Sequence, residues 1–277
     1  MQLELPWELG PADGRYVLRG HAGEPEHVLV LQTVAALPRR GRLSRRRARR
    51  AAPEPIAATV PITRATLIHA EPLADADAAS AWLHDADLTR EVRAAVAVLN
   101  TVLHAERIVR ADPFVREIAP EQALAIRVGV GRGEAVAEGQ WADARALPPL
   151  ATARPRRTRA LRPQERFAAL LAGRDVALAS EELTLRARLD LDRGRTREAA
   201  LQLRVALEAA LAELQAWSHH EELATRLAEL REERGAVAAA ANRALEGGLE
   251  TAQVEDVVRV VGRLEAALAA RVAGGLE

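Results

Sequence analysis

Residues 27–69 read HVLVLQTVAALPRRGRLSRRRARRAAPEPIAATVPITRATLIH, and the fold turns on how this stretch divides. His27 to Val34 and Thr63 to His69 are rich in Val, Leu, Ile and Thr, the composition of strands. Ile56 to Val60 has the same character, so the second strand is expected to be broken or bulged at Pro61, where the ladder lacks a donor. Between them lie Arg39, Arg40, Arg42, Arg45, Arg46, Arg47, Arg49 and Arg50 without an acid, closed by Pro38 on one side and Pro53-Glu54-Pro55 on the other. Like charges at this density repel and stay solvated, which predicts an Arg-rich loop over 38–55 joining neighbouring strands.

Working outward, Arg15 to Arg19 reads as a further strand, separated from His27 by the turn residues Gly20, Gly23 and Pro25. Asp75 to His84 and Leu88 to Arg110 change to helical spacing. In the second, Leu88, Val92, Val96, Leu99 and Leu103 recur every three to four residues until Asp112-Pro113 stops the helix. Leu124, Ile126, Val128 and Val130 then alternate with Ala125, Arg127 and Gly129 as in a half-buried strand. Strands in runs with helices grouped between them predict an α+β domain over 1–147, mainly an antiparallel sheet with two helices. Pro148, Pro149, Pro155 and the following Pro163, with five arginines from Arg154 to Arg162 and no acid, mark a linker over 148–162.

Residues 163–277 carry no strand signal and are expected to form an all-α helical bundle or helical-hairpin domain. Pro163 opens a helix that weakens at Gly173, and a second runs from about Asp175 to Asp192 and ends at Gly194. Thr196 starts a third, with Ala199, Leu203, Ala206, Leu207, Ala210, Leu211 and Leu214 on one face. Ser218 with Glu221 reads as a capping box for a fourth, carrying Leu223, Leu227 and Leu230. A fifth occupies Ala236 to Leu245. Thr251 is expected to cap the last, with Val254, Val257, Val261, Leu264 and Leu268. Within this array Ala187, Gly194, Ala199, Leu203, Ala206 and Leu207 make Leu183 to Leu207 resemble one tetratricopeptide-type hairpin. Arg186 and Asp190 depart from that pattern, and no second copy follows at a 34-residue period. The resemblance implies peptide binding only weakly, because Ala-rich antiparallel hairpins in general share these spacings.

Inventory excludes several chemistries. All 39 basic residues are Arg, so there is no P-loop lysine, no lysine for a pyridoxal Schiff base and no kinase-type phosphate lysine. Cys is absent, which removes disulfides, thiolate metal sites and cysteine nucleophiles. The bias towards Ala, Arg, Gly and Pro fits a GC-rich genome, and heat adaptation is a second account of the scarce Asn and Met. Met1 to Gly10 contains no basic residue or apolar run, and no stretch has the length of a membrane span, so a cytoplasmic location is expected.

Gly129, Gly131 and Gly133 follow a strand, but the third glycine falls one position early for a dinucleotide fingerprint, so a tight hairpin is expected. His219-His220-Glu221-Glu222 is the densest ligand-type cluster, yet adjacent helical residues point about 100° apart and do not chelate one ion. Asp190, Asp192 and Gly194 lack the later ligands of a calcium loop and read as a helix end. Four serines lie outside any nucleophile motif. Asp85 and Asp87 could pair as acid and base, but they sit where a helix begins and Asp87 suits its N-cap. His69, His84 and His104 could converge in the front domain, but isolated His residues are more often packing or surface. No catalytic residue, metal or cofactor is assigned.

The formal charge is zero, but residues 1–150 hold 19 Arg and 19 acids, leaving 11 against 19 once the eight Arg of the loop are set aside. The expected function is therefore a non-enzymatic interaction scaffold. Its helical half would dock a protein partner or a second copy, and its basic arm, Arg39 to Arg50, would capture nucleic acid or an acidic partner. The alternative is an enzyme or small-ligand binder with a site between the sheet and the Leu88 to Arg110 helix.

Overall fold

The computed structural model describes residues 1–20, 22–35, 61–148 and 163–274. The chain divides into two compact units, Met1–Thr152 and Ala153–Glu277. The Arg39 to Arg50 arm, the Ile56 to Val60 strand and all but the first residue of the 148–162 linker lie outside the described residues.

The first unit is a mixed α+β structure built on one antiparallel sheet of six strands: β1 (Gln2–Leu5), β2 (Gly14–Arg19), β3 (Pro25–Ala35), β4 (Pro61–His69), β5 (Ala125–Gly131) and β6 (Trp141–Leu147). Their order is β2-β3-β4-β1-β5-β6, with every neighbouring pair antiparallel. β3 and β4 pair directly from His27↔His69 to Ala35↔Pro61, so residues 36–60 connect two adjacent strand ends. Pro61 opens β4, the position at which a strand tolerates a missing donor.

Period-two alternation sorts each strand into two faces. Leu3 and Leu5 of β1, Leu29 and Leu31 of β3, Ala65 and Leu67 of β4, and Ile126 and Val128 of β5 form one buried face. Onto it pack α1 (Ala76–Asp85) through Leu83, and α2 (Leu88–Val109) through Val92, Ala95, Val96, Leu99 and Leu103. Both helices start at aspartates: Asp75 Oδ1 accepts the Ala78 N–H at 2.8 Å, and Asp87 Oδ1 accepts those of Thr89 and Arg90 at 3.1 Å.

The β5–β6 connection is a long one, built around a 3₁₀ turn at Gly133–Glu138 and ended by Gly139 at φ 82°. It replaces the expected tight hairpin. Gly129 is required for a different reason than turn geometry. A Cβ there would lie 2.7 Å from Ala144 Cα on β6, so the glycine permits close strand approach. The turn folds back across the sheet face opposite the helices: Glu138 accepts from Gln32 Nε2 of β3 at 2.8 Å, and Glu134 pairs with Arg15 of β2.

The second unit is helical throughout its described residues: α3 (Pro163–Leu171), α4 (Ala179–Asp192), α5 (Thr196–Glu213), α6 (Glu221–Glu232), α7 (Arg234–Glu246) and α8 (Thr251–Gly274). α4 and α5 pack closely on one another through Ala187, Ala199, Leu203 and Ala206, all without exposed surface, and Gly194 at φ 71° makes the turn between them. α8 touches α4, α5, α6 and α7, and its Val257, Val260, Val261, Leu264 and Ala267 lie in the same core as Leu207, Leu223, Leu227 and Leu230.

Three helix starts differ from expectation. α4 begins at Ala179 and not near Asp175, which lies between α3 and α4. α6 begins at Glu221 after His220, and Ser218 Oγ accepts from Gln215 Nε2 at 3.0 Å, so the expected capping box is not formed. The 3₁₀ turn Leu214–Trp217 ends at Ser218 and draws its side chain back towards the preceding turn. α8 starts with Thr251 as its first helical residue, and Gln253 Oε1 caps by accepting the Glu250 N–H at 3.0 Å. Ser218→Ala is accordingly expected to cost less than about 0.5 kcal/mol, as for a surface substitution outside a cap, measured by chemical denaturation. A loss of a full cap's worth, about 1 kcal/mol, would restore the box.

Candidate functional site

The Arg39 to Arg50 arm lies outside the described residues, and its two attachment points are the paired residues Ala35 and Pro61. Near them, the sheet face opposite the helices carries a polar ladder at its centre. Glu4 Oε1 accepts from Arg64 Nη2 at 3.0 Å on one side and Arg127 Nη1 at 3.4 Å on the other. Gln2 donates to Thr66 Oγ1 at 3.1 Å and accepts from Arg127 Nη1 at 2.9 Å, so both ends of its amide are occupied. These groups satisfy one another across β4, β1 and β5. The ladder fixes register by cross-strand pairing.

The space between the sheet and α2, where the alternative reading places a ligand, is filled by Leu3, Leu29, Leu67, Val96, Leu99 and Leu103, each at most 3% exposed. Asn100, also buried there, donates to Ile118 C=O at 2.9 Å and accepts its N–H at 2.8 Å, which pins the segment after α2.

His69, His84 and His104 do not converge. His69, at the end of β4, meets His27 of β3 with ring centroids 4.7 Å apart, a pair that sequence spacing does not reveal. Burial and then the neighbouring His69 push the His27 imidazole below its ordinary value, with Glu26 opposing. His84 is exposed in the last turn of α1, and His104 sits on α2. In the helical unit, the His219 and His220 rings lie tilted against one another with centroids 4.1 Å apart, ahead of α6. Glu221, Glu222, Thr225, Arg226 and Glu229 line an open groove along one face of α6, and Arg226 Nη2 meets Glu222 Oε1 at 2.7 Å. Asp190 forms an ion pair with Arg195 Nε at 2.8 Å across the α4–α5 turn. Among the described residues no group of three or more His, Asp or Glu is placed to hold a metal ion.

Motif reading did not single out a cluster of paired charges in the helical unit. Arg166 of α3 gives its Nε to Asp175 Oδ2 at 3.1 Å and its Nη2 to Glu181 Oε1 at 2.6 Å. Asp175 also takes both terminal nitrogens of Arg271, near the end of α8. The Arg271 guanidinium stacks 4.7 Å from the Trp217 ring centroid, and the residue is 5% exposed with its Nε unpartnered. Burial alone would raise the Asp175 carboxyl, but hydrogen bonds from Arg271, Arg166 and the Val176 N–H hold it below its ordinary value. Glu213 behaves alike. Burial opposes ionisation, and hydrogen bonds from Ser180 and Ala179, at the start of α4, prevail and hold the carboxyl low. Chemically these are clamps, in which each carboxylate closes a helix end or joins two helices.

No described helix is long and apolar enough to cross a membrane. Comparison with known proteins finds no matching family model, no similar curated protein and no similar solved structure.

Proposed function

We propose that this is a non-enzymatic, cytoplasmic interaction protein in which a helical-bundle half, residues 163–277, docks a protein partner or a second copy. The arm, Arg39 to Arg50, captures nucleic acid or an acidic protein surface. The observation that carries the reading is the placement of the eight Arg between paired strand ends, Ala35 and Pro61. A strand pair that is registered up to those residues supports itself without help from the inserted segment. The segment's charge is then available for phosphate or carboxylate, both of which guanidinium groups bind bidentately.

Anisotropy measurements of duplex binding across a salt series test this. With about six Arg on phosphates, log affinity against log salt should fall with a slope of roughly minus five, with weak sequence preference. Deleting residues 39–50 should flatten the slope and leave the melting temperature nearly unchanged, since loop length alters closure entropy only slowly. No binding by the parent at low salt would remove the nucleic-acid version and leave the acidic-protein version to be tested by the same deletion.

A further inference from the structure

We infer that the free edge of β6 is an interface with a second copy of this chain, formed by antiparallel pairing of β6 with the β6 of that copy about Ala144. This concerns the sheet and is independent of docking through the helical half. Among the described residues β6 is one of the two terminal strands, hydrogen-bonded to β5 on one side only. An open edge presents unpaired backbone donors and acceptors and is a template for another strand unless it is defended.

The other terminal strand is defended. A two-fold pairing of β2 about Val17 would set Arg15 opposite Arg19, like charge against like. β6 reads Trp-Ala-Asp-Ala-Arg-Ala-Leu, and the same operation about Ala144 has the opposite outcome. Asp143 falls opposite Arg145 of the second copy, and two-fold symmetry makes the pair twice. Asp143 and Arg145 are both exposed, and neither makes an ion pair among the described residues. The charges are therefore complementary to a copy of the same strand and unused among the described residues. Alanines at 142, 144 and 146 offer no bulk against close approach. The register shift at Val130/Gly131 bends β6 beyond Asp143, which confines pairing to the few residues around Ala144. So short a contact makes a weak, reversible dimer at the low end of specific interface sizes.

Sedimentation velocity on the full chain, over about a hundredfold range of concentration, should show the weight-average mass rising from monomer towards dimer. Asp143→Arg places Arg opposite Arg145 twice and should weaken association about tenfold or more. The double variant Asp143→Arg with Arg145→Asp exchanges the partners and should restore it to within about threefold of the parent. Ala144→Pro, which removes a ladder donor, should abolish it. Circular dichroism confirms that each variant is folded, and the charge exchange carries the test if the proline variant is not. A parent that stays monomeric throughout overturns the proposal, as does a dimer indifferent to Asp143→Arg or a folded double variant that fails to recover.

Discussion

Val261→Asp is expected to unfold the helical unit, with loss of most of its far-ultraviolet helical signal at room temperature. Val261 has no exposed surface and faces the core that α8 shares with α4, α5, α6 and α7. A carboxylate placed there has no basic partner in the surrounding Leu, Val and Ala side chains. It must either stay ionised in an apolar interior or take up a proton at a raised pKa, and both routes cost several kcal/mol. Native stabilities are about 5–15 kcal/mol in total, so this one change consumes a large part of the margin. Val261→Ala is the control: it removes only two methyl groups and should cost about 1–3 kcal/mol while the unit stays folded. A Val261→Asp protein with the parent's melting curve would show that the α8 stripe does not face a core, and the bundle reading would fall with it.

Asp175→Ala should destabilise the same unit by about 3–5 kcal/mol, because it strands the buried Arg271 guanidinium without its counter-charge. Trp217 remains beneath the guanidinium, but a ring face is a weaker partner than a carboxylate that takes both terminal nitrogens. Replacing Arg271 by Met in the Asp175→Ala background should recover most of the loss, since an apolar side chain requires no partner. The pair also predicts a pH dependence. The folded Asp175 carboxyl lies below its ordinary value of 3.8, so the unfolded chain binds its proton more readily. The stabilisation is fully present above that value and is lost as pH falls through the lower, folded one. Glu213, held low by Ser180 and Ala179, acts with the same sign. Denaturation midpoints measured downward from pH 5 should therefore fall more steeply for the parent than for Asp175→Ala. Parallel curves would mean that Asp175 is not paired in solution.

Elements with strong periodicity were legible in the sequence, and elements held by distant partners were not. α2 and α5 declare themselves through Val92, Val96, Leu99 and Leu103, and through Ala199, Leu203, Ala206 and Leu207, because burying one face of a helix imposes a spacing near 3.6. β1 is four residues long and rests on Thr63 to Thr66 and Ala125 to Arg127, far along the chain, so no local feature of Gln2–Leu5 announces a central strand. β6 is equally silent, since three alanines and two charges have little strand preference of their own and the ladder to β5 supplies the conformation. Arg271 lies three residues after Leu268 on the buried stripe of α8, so its burial was readable in the heptad-like spacing. Its partner was not. Asp175 stands between two helices where no period applies, and the meeting of Arg166, Asp175, Glu181 and Arg271 is a fact of tertiary packing alone.

The central position of β1 has a kinetic consequence. β2–β3–β4 is a meander and β5–β6 a hairpin, each closed by neighbours in sequence, and among the described strands β1 alone joins them. The two sub-sheets can form from local contacts, whereas the seam waits for Leu3 to find both Ala65 and Ile126 across long stretches of chain. Folding of this unit should thus be limited by insertion of one short strand. Until that step is complete, β4 and β5 each carry an open edge, and the interval is the protein's period of greatest exposure to aggregation.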